Sequence, residues 1–176
     1  MTETIPLATP GIKSAGEGSL YFLPAVANPS EGATLAEFQA GVAISCTIDA
    51  WNPSPTQNAE EFTKYCMKVA GERGGTVKWQ IAPIRYEYDP TDLENPLYPH
   101  VQEMVEGRTG WIVDRRGYDS KSAVEADQVL SLLMPIELGV RAPVEISATS
   151  PNATHQLEQQ IFVIGDVHQF VKVLAG

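Results

Sequence analysis

The sequence predicts a mainly β chain, an antiparallel β-sandwich or barrel with one flanking α-helix and a long β-hairpin. Three observations predict it. Several stretches alternate apolar and polar side chains with a period of two, the mark of half-buried strands. Only one stretch of any length carries an apolar stripe at helical spacing. No internal repeat is present, as a solenoid would require.

Residues 1–18, rich in Thr, Pro and Gly and without a period, read as a flexible N-terminal arm. Residues 19–176 are then a single domain, since 176 residues make about one domain able to bury roughly 70% of its unfolded surface. In SLYFLPAVANP, Leu20, Phe22, Pro24 and Val26 alternate with Tyr21, Leu23 and Ala25, which gives a strand apolar on both faces. NPSEGA breaks it. Thr34 and Glu37 are spaced as a capping box, and Gly41 is placed to stop a helix of barely two turns. Ile44, Cys46, Ile48 and Ala50 then oppose Ser45, Thr47 and Asp49, the pattern of a half-buried strand.

Residues 62–88 read as a hairpin. Thr63, Tyr65, Met67 and Val69 alternate with Phe62, Lys64, Cys66 and Lys68, and the glycines of Gly71–Gly75 supply a flexible tip. Val77, Trp79 and Ile81 hold one parity, whereas Ile84, Tyr86 and Tyr88 hold the other. A bulge is therefore expected at Ala82–Pro83, where proline cannot donate to a ladder. Leu97, Val101, Met104 and Val105 form the helical stripe, with Gly107 as its C-cap and Pro96 or Pro99 at its first position. Strands follow near 110–115, 128–138, 143–149, 157–164 and 167–174. Leu130, Leu132, Met134, Ile136 and Leu138 share one face.

Composition narrows the function. The net charge of −10 argues against nucleic-acid binding, which uses stripes of Lys and Arg. The charge is uneven: residues 61–90 hold five basic and four acidic side chains between two acidic flanks. No apolar run approaches the roughly 20 residues of a membrane span, and the N-terminus has no signal-peptide pattern. Cys46 and Cys66 lack metal spacing and read as small strand residues.

Chemistry is sparse. His100, His155 and His168 form no HxH or HExxH pattern, and no GxSxG, P-loop or GxGxxG is present. Asp92/Glu94 and Glu103/Glu106 are solvated charges in a loop and on a helix face rather than a glycosidase dyad. Asn152-Ala-Thr154 matches a glycosylation acceptor, a pattern common by chance. Trp51, Trp79 and Trp111 are spread over separate strands, which favours core or subunit contacts over a sugar site. No catalytic residue, metal or cofactor is expected, and an enzyme is the least supported reading.

The order of these elements resembles a known family. SLYFLPAVANP, TLAEFQAG and then AISCTIDAW are similar to the opening of the major tail proteins, or tail tube proteins, of long-tailed, siphovirus-like bacteriophages. EFTKYCMKVAGERGGTVKWQIAPIRYEYDP resembles their long hairpin. LENPLYPHVQEMVEGRTGWIVDRRG resembles their single helix and the strand after it. The likeness runs through residues 18–149 in order and spacing.

The resemblance implies a tail-tube fold, six subunits closing into a ring, and rings stacked as a hollow virion tube that conducts DNA. It implies assembly in the host bacterial cytoplasm and, as partners, further copies of the chain, a tape measure protein, a tail terminator and tail tip proteins. DNA would pass without specific binding, and an acidic wall would let it slide. Six copies carry roughly −60 before counterions, which screening over about 8 Å reduces but does not abolish. In this family the matching hairpin reaches the neighbouring ring, so Lys64, Lys68, Glu72, Arg73 and Lys78 are the candidate inter-ring contacts. Alternatively, the hairpin lies flat on its own core with solvated lysines. A head–tail connector, a tail terminator, a contractile-system tube protein and, more distantly, a carbohydrate-binding sandwich are the other readings.

Overall fold

The structure, a computed structural model, describes residues 16–66, 68–145 and 154–175. Most of the expected arm lies outside these residues, as does Asn152 of the glycosylation pattern. The strand expected from SLYFLP is β1 (Gly18–Leu23). Its Leu20 and Phe22 enter one core, and its Leu23, with Tyr21 alongside, enters a second. Apolar residues on both parities are thus buried on both faces. After β2 (Gly32–Thr34), the short helix α1 (Leu35–Ala40) begins at the expected box: Glu37 N–H donates to Thr34 Oγ1, and Thr34 N–H to the Glu37 carboxylate. Gly41 ends it because nothing larger fits; a Cβ there would lie 2.7 Å from the Phe22 carbonyl oxygen.

Eight strands form one curled sheet in the order β2-β10-β8-β7-β1-β3, with β9 pairing both β8 and β6. They are β1, β2, β3 (Val42–Ala43), β6 (Ile84–Glu87), β7 (Thr109–Arg116), β8 (Val129–Pro143), β9 (Gln156–Val163) and β10 (His168–Leu174). Among the described residues only β10 and β2 pair in parallel. The strands expected at 128–138 and 143–149 are joined in the 15-residue β8 as far as Pro143; residues 146–149 lie outside the described residues. One edge of β8 pairs β7, and the other pairs β10 and then β9. The break between β9 and β10 falls beside Pro135. Its carbonyl accepts from Ile164 N–H (3.1 Å), but it has no N–H to return. Leu132, Met134, Ile136 and Leu138 share the first core as expected, while Leu130 packs in the second.

Five expectations are corrected. Residues 44–50 are not a strand: beyond Val42–Ala43 the chain turns, leaving a lone bridge from Ile48 to Tyr86. Thr47 N–H and Oγ1 both donate to Ile44 C=O (3.1 and 2.9 Å), and Leu20 N–H donates to Ser45 Oγ (2.7 Å). Local hydroxyl bonds displace a ladder here. Cys46 and Cys66 accordingly sit exposed in turns, not in strands, and are free thiols.

The hairpin is displaced toward the N-terminus. It pairs β4 (Pro53–Phe62) with β5 (Gly71–Ile81), from Pro53↔Ile81 to Phe62↔Gly71. Residues 63–66 and 68–70 lie at its end, and Gly71, Gly74 and Gly75 belong to a strand. None of the described residues in 62–69 is buried, so the alternation there reports no buried face, and β4 is too polar to signal a strand. At Ala82–Pro83 there is no bulge; the chain leaves the two-stranded sheet for the large one, which is why the parity changes.

The helix is shorter than its stripe. It is α2 (Pro99–Glu103), with Pro99 at its start and Met104, not Gly107, as C-cap. Val101 and Met104 are buried, but Leu97 is 77% exposed and Val105 is exposed too. Gly107 instead takes φ +77 and donates its N–H to Leu138 C=O (2.7 Å), while Leu138 N–H donates to Arg108 C=O (2.9 Å). Tertiary bonds to β8 replace the next helical turn.

Candidate assembly surface

The β4–β5 ribbon stands out because side chains on both of its faces meet solvent. Eight of the ten residues of β4 are exposed, and in β5 only Gly71, Gly75, Trp79 and Ile81 are partly covered. Trp79 and Ile81 pack on the first core and anchor the base. At the far end, Tyr65 is fully exposed and Val69 largely so. The cross-strand tie near that end is the Arg73–Glu60 pair (3.1 Å), with side chains 66% and 51% exposed, worth about 0–1 kcal/mol.

The five sequence-predicted residues all lie on this ribbon, all exposed, but not at one point. Lys64 and Lys68 are in the end loop. Glu72 and Arg73 are in β5 beside it, opposite Glu61 and Glu60. Lys78 sits near the base opposite Thr56, in the lining of a cleft of about 560 Å³ between the ribbon and β9. Residues 53–81 hold four basic and three acidic side chains in a chain of net −10, so the ribbon carries a slight positive excess.

Sequence reasoning missed Arg115. It is fully buried, and its guanidinium donates to Ser19 Oγ, Gln128 Oε1, Ser122 Oγ and the carbonyls of Asp119, Ser122 and Ala123 at 2.9–3.2 Å. One side chain thus gathers the loop 117–128 onto β7. The only hint was a charged pair ending an apolar strand. Beside it, buried Asp114 accepts from Trp51 Nε1 (3.0 Å) and from the Arg116 guanidinium, whose pKa this bond raises.

The other chemistry-bearing residues are structural. His100 is buried in α2, edge-on to Tyr86 and Tyr98, and its Nε2 donates to Glu87 C=O (2.9 Å). Burial holds its pKa below the usual imidazole value, against that hydrogen bond. Its Nδ1 has no partner. Tyr86 O–H donates to Gln159 Oε1 (3.0 Å), and burial raises the phenol's pKa. Asp92 accepts from Glu94 N–H in an exposed loop, and Glu103 pairs with Arg108, so neither carboxylate pair forms a dyad. Among the described residues no group of three or more His, Cys, Asp or Glu is placed to hold a metal, and no helix is long and apolar enough to cross a membrane.

The profile of the phage tail tube protein family matches residues 7–176. The chain belongs to that family. It is therefore a structural component of a phage tail, and membership implies assembly with itself and with other tail parts rather than catalysis. A chain in the cryo-EM structure of the anti-feeding prophage baseplate, six-fold symmetrised, is similar at 11% identity. The match covers 94% of this chain and 98% of that one, with a TM-score of 0.45. No curated protein matches the sequence.

Proposed function

We propose that residues 19–176 form one tube domain, that six copies close into a ring, and that rings stack into the conduit for DNA ejection. The ribbon carries this reading. An isolated two-stranded hairpin is marginal in water, and β4–β5 is exposed on both faces, so a neighbouring copy is the natural surface to order it. In the stacked tube its end loop, with Lys64 and Lys68, reaches an acidic neighbouring ring, while Glu72, Arg73 and Lys78 lie along the contact. The sheets continue from subunit to subunit, which removes open strand edges.

The channel wall carries more Asp and Glu than Lys and Arg, so that phosphates slide past rather than bind. Tape measure, terminator and tail tip proteins meet the two ends of the tube, which assembles in the bacterial cytoplasm. Electron microscopy of the purified protein tests the reading: stacked six-fold rings are expected, and a two-fold dimer as the sole assembly overturns it. A continuous positive lining in the ring's surface potential overturns the account of the lumen.

A further inference from the structure

Two non-glycine residues among those described have positive φ, Asp127 at +67 and Phe170 at +55. Asp127 needs no special reason, because Asp tolerates this region and sits in a turn. Phe170 does, because it is a bulky aromatic in the middle of β10. Gln169↔Leu132 and Val171↔Leu130 keep register on either side, and Phe170 itself contributes no pair. The residue is 74% exposed, so burial in its own subunit does not offset the strain. The neighbouring edge is open too, since β2 pairs β10 only from Lys172 to Leu174. Strain of this kind persists where something beyond local folding uses it.

A complementary hole lies elsewhere on the same chain. The cleft between the ribbon base and β9 is walled by Trp79, Ile81, Phe162 and Val163, with Phe162 half exposed. A knob and a hole on different patches of one chain make a heterologous contact, the kind that closes rings.

We propose that Phe170 of one copy seats its ring in the cleft between β5 and β9 of the next copy. The left-handed backbone at 170 and the exposure of the side chain leave it open to that neighbour. This rests on the self-assembly reading, and it adds which aromatic anchors the contact and where it goes.

The test compares full-length variants. Phe170→Gly and Phe170→Asn both suit the backbone without a ring. Each is expected to melt no lower than the parent, yet to form at least about tenfold less tube or ring under conditions where the parent assembles. Phe170→Tyr keeps the ring and assembles. Benzoylphenylalanine at position 170, in mixed isotope-labelled and unlabelled subunits, is expected to cross-link between copies to residues 79–82 or 161–163. Normal assembly of the Gly and Asn variants, or cross-links only within a chain or to another surface, overturns the proposal while leaving the tube reading intact. A parent protein that forms neither rings nor tubes overturns both.

Discussion

β8 and the β4–β5 ribbon are both long antiparallel structures, and they are held in opposite ways. Along β8, seven of the nine residues from Leu130 to Leu138 are buried, with cores on both sides of the sheet. Each large apolar side chain fully buried there contributes about 1.5–3 kcal/mol. Beyond the Trp79–Ile81 base, the ribbon has its ladder, an exposed ion pair and a Gln57 side-chain bond to Gly75 C=O (3.2 Å). Backbone pairing is common to both, so side-chain burial makes the difference. One region stabilises the subunit, and the other leaves its side chains in solvent.

The largest expected effect breaks the buried side of this contrast. Phe22→Ala should destabilise the isolated subunit by about 3–5 kcal/mol, whereas Val77→Ala on the ribbon should stay within about 0.5 kcal/mol. Urea unfolding of both variants checks this, and equal losses would remove the distinction. Next comes Arg115→Met, expected to cost about 1–3 kcal/mol because carbonyls that the guanidinium serves are left unpaired. Hydrogen exchange should then quicken in 117–128 and not in the ribbon. Arg115→Lys should not restore protection, since an ammonium cannot reproduce the planar fork.

A pH series sharpens the comparison further. The folded-state pKa of His100 lies below its unfolded value near 6.5, so between the two the unfolded chain binds the extra proton. Stability is expected to be full above pH 6.5 and to fall as the pH drops below it, down to the folded pKa. His100→Gln should flatten that part of the curve in thermal melts, and an unchanged slope would refute the assignment. The same logic applies to Asp89, whose pKa is lowered to about 2 by hydrogen bonds from Thr91 and Asn95. Its contribution is present above about pH 4 and lost as the pH falls through 2.

The smallest effect on the subunit falls on the ribbon. Lys64→Glu with Lys68→Glu should leave circular dichroism and melting nearly unchanged, within about 0.5 kcal/mol, while tubes fail to elongate, more severely at low salt. Normal tube length in that double variant would show that the end loop's charge has no part in stacking.

Features that depend on near neighbours in the chain were legible in the sequence. The Thr34–Glu37 box is one, because its partners are three residues apart and close without help from the rest of the fold. β1, β7 and β9 were legible because their side chains meet packed cores, so burial left its period in the residues. β4 was not, since PSPTQNAEEF has no face turned to a core and alternation records burial, not hydrogen bonding. The hairpin was recognised, but its strands and its end were set one segment too late: Glu72 and Arg73 moved from the expected tip into β5, and Lys64 and Lys68 from an expected strand into the end loop.

Tertiary structure alone decided the rest. It cut the helix at Met104 because bonds between β8 and residues 107–108 outcompete another turn. It turned the chain at 44–47 through hydroxyl bonds to Ile44 and Leu20, and it buried Arg115 by folding six acceptors around it. In each case the deciding partner stands far along the chain or competes with a regular ladder. A period in the residues records how far a face is buried, and it does not name the group waiting on the other side.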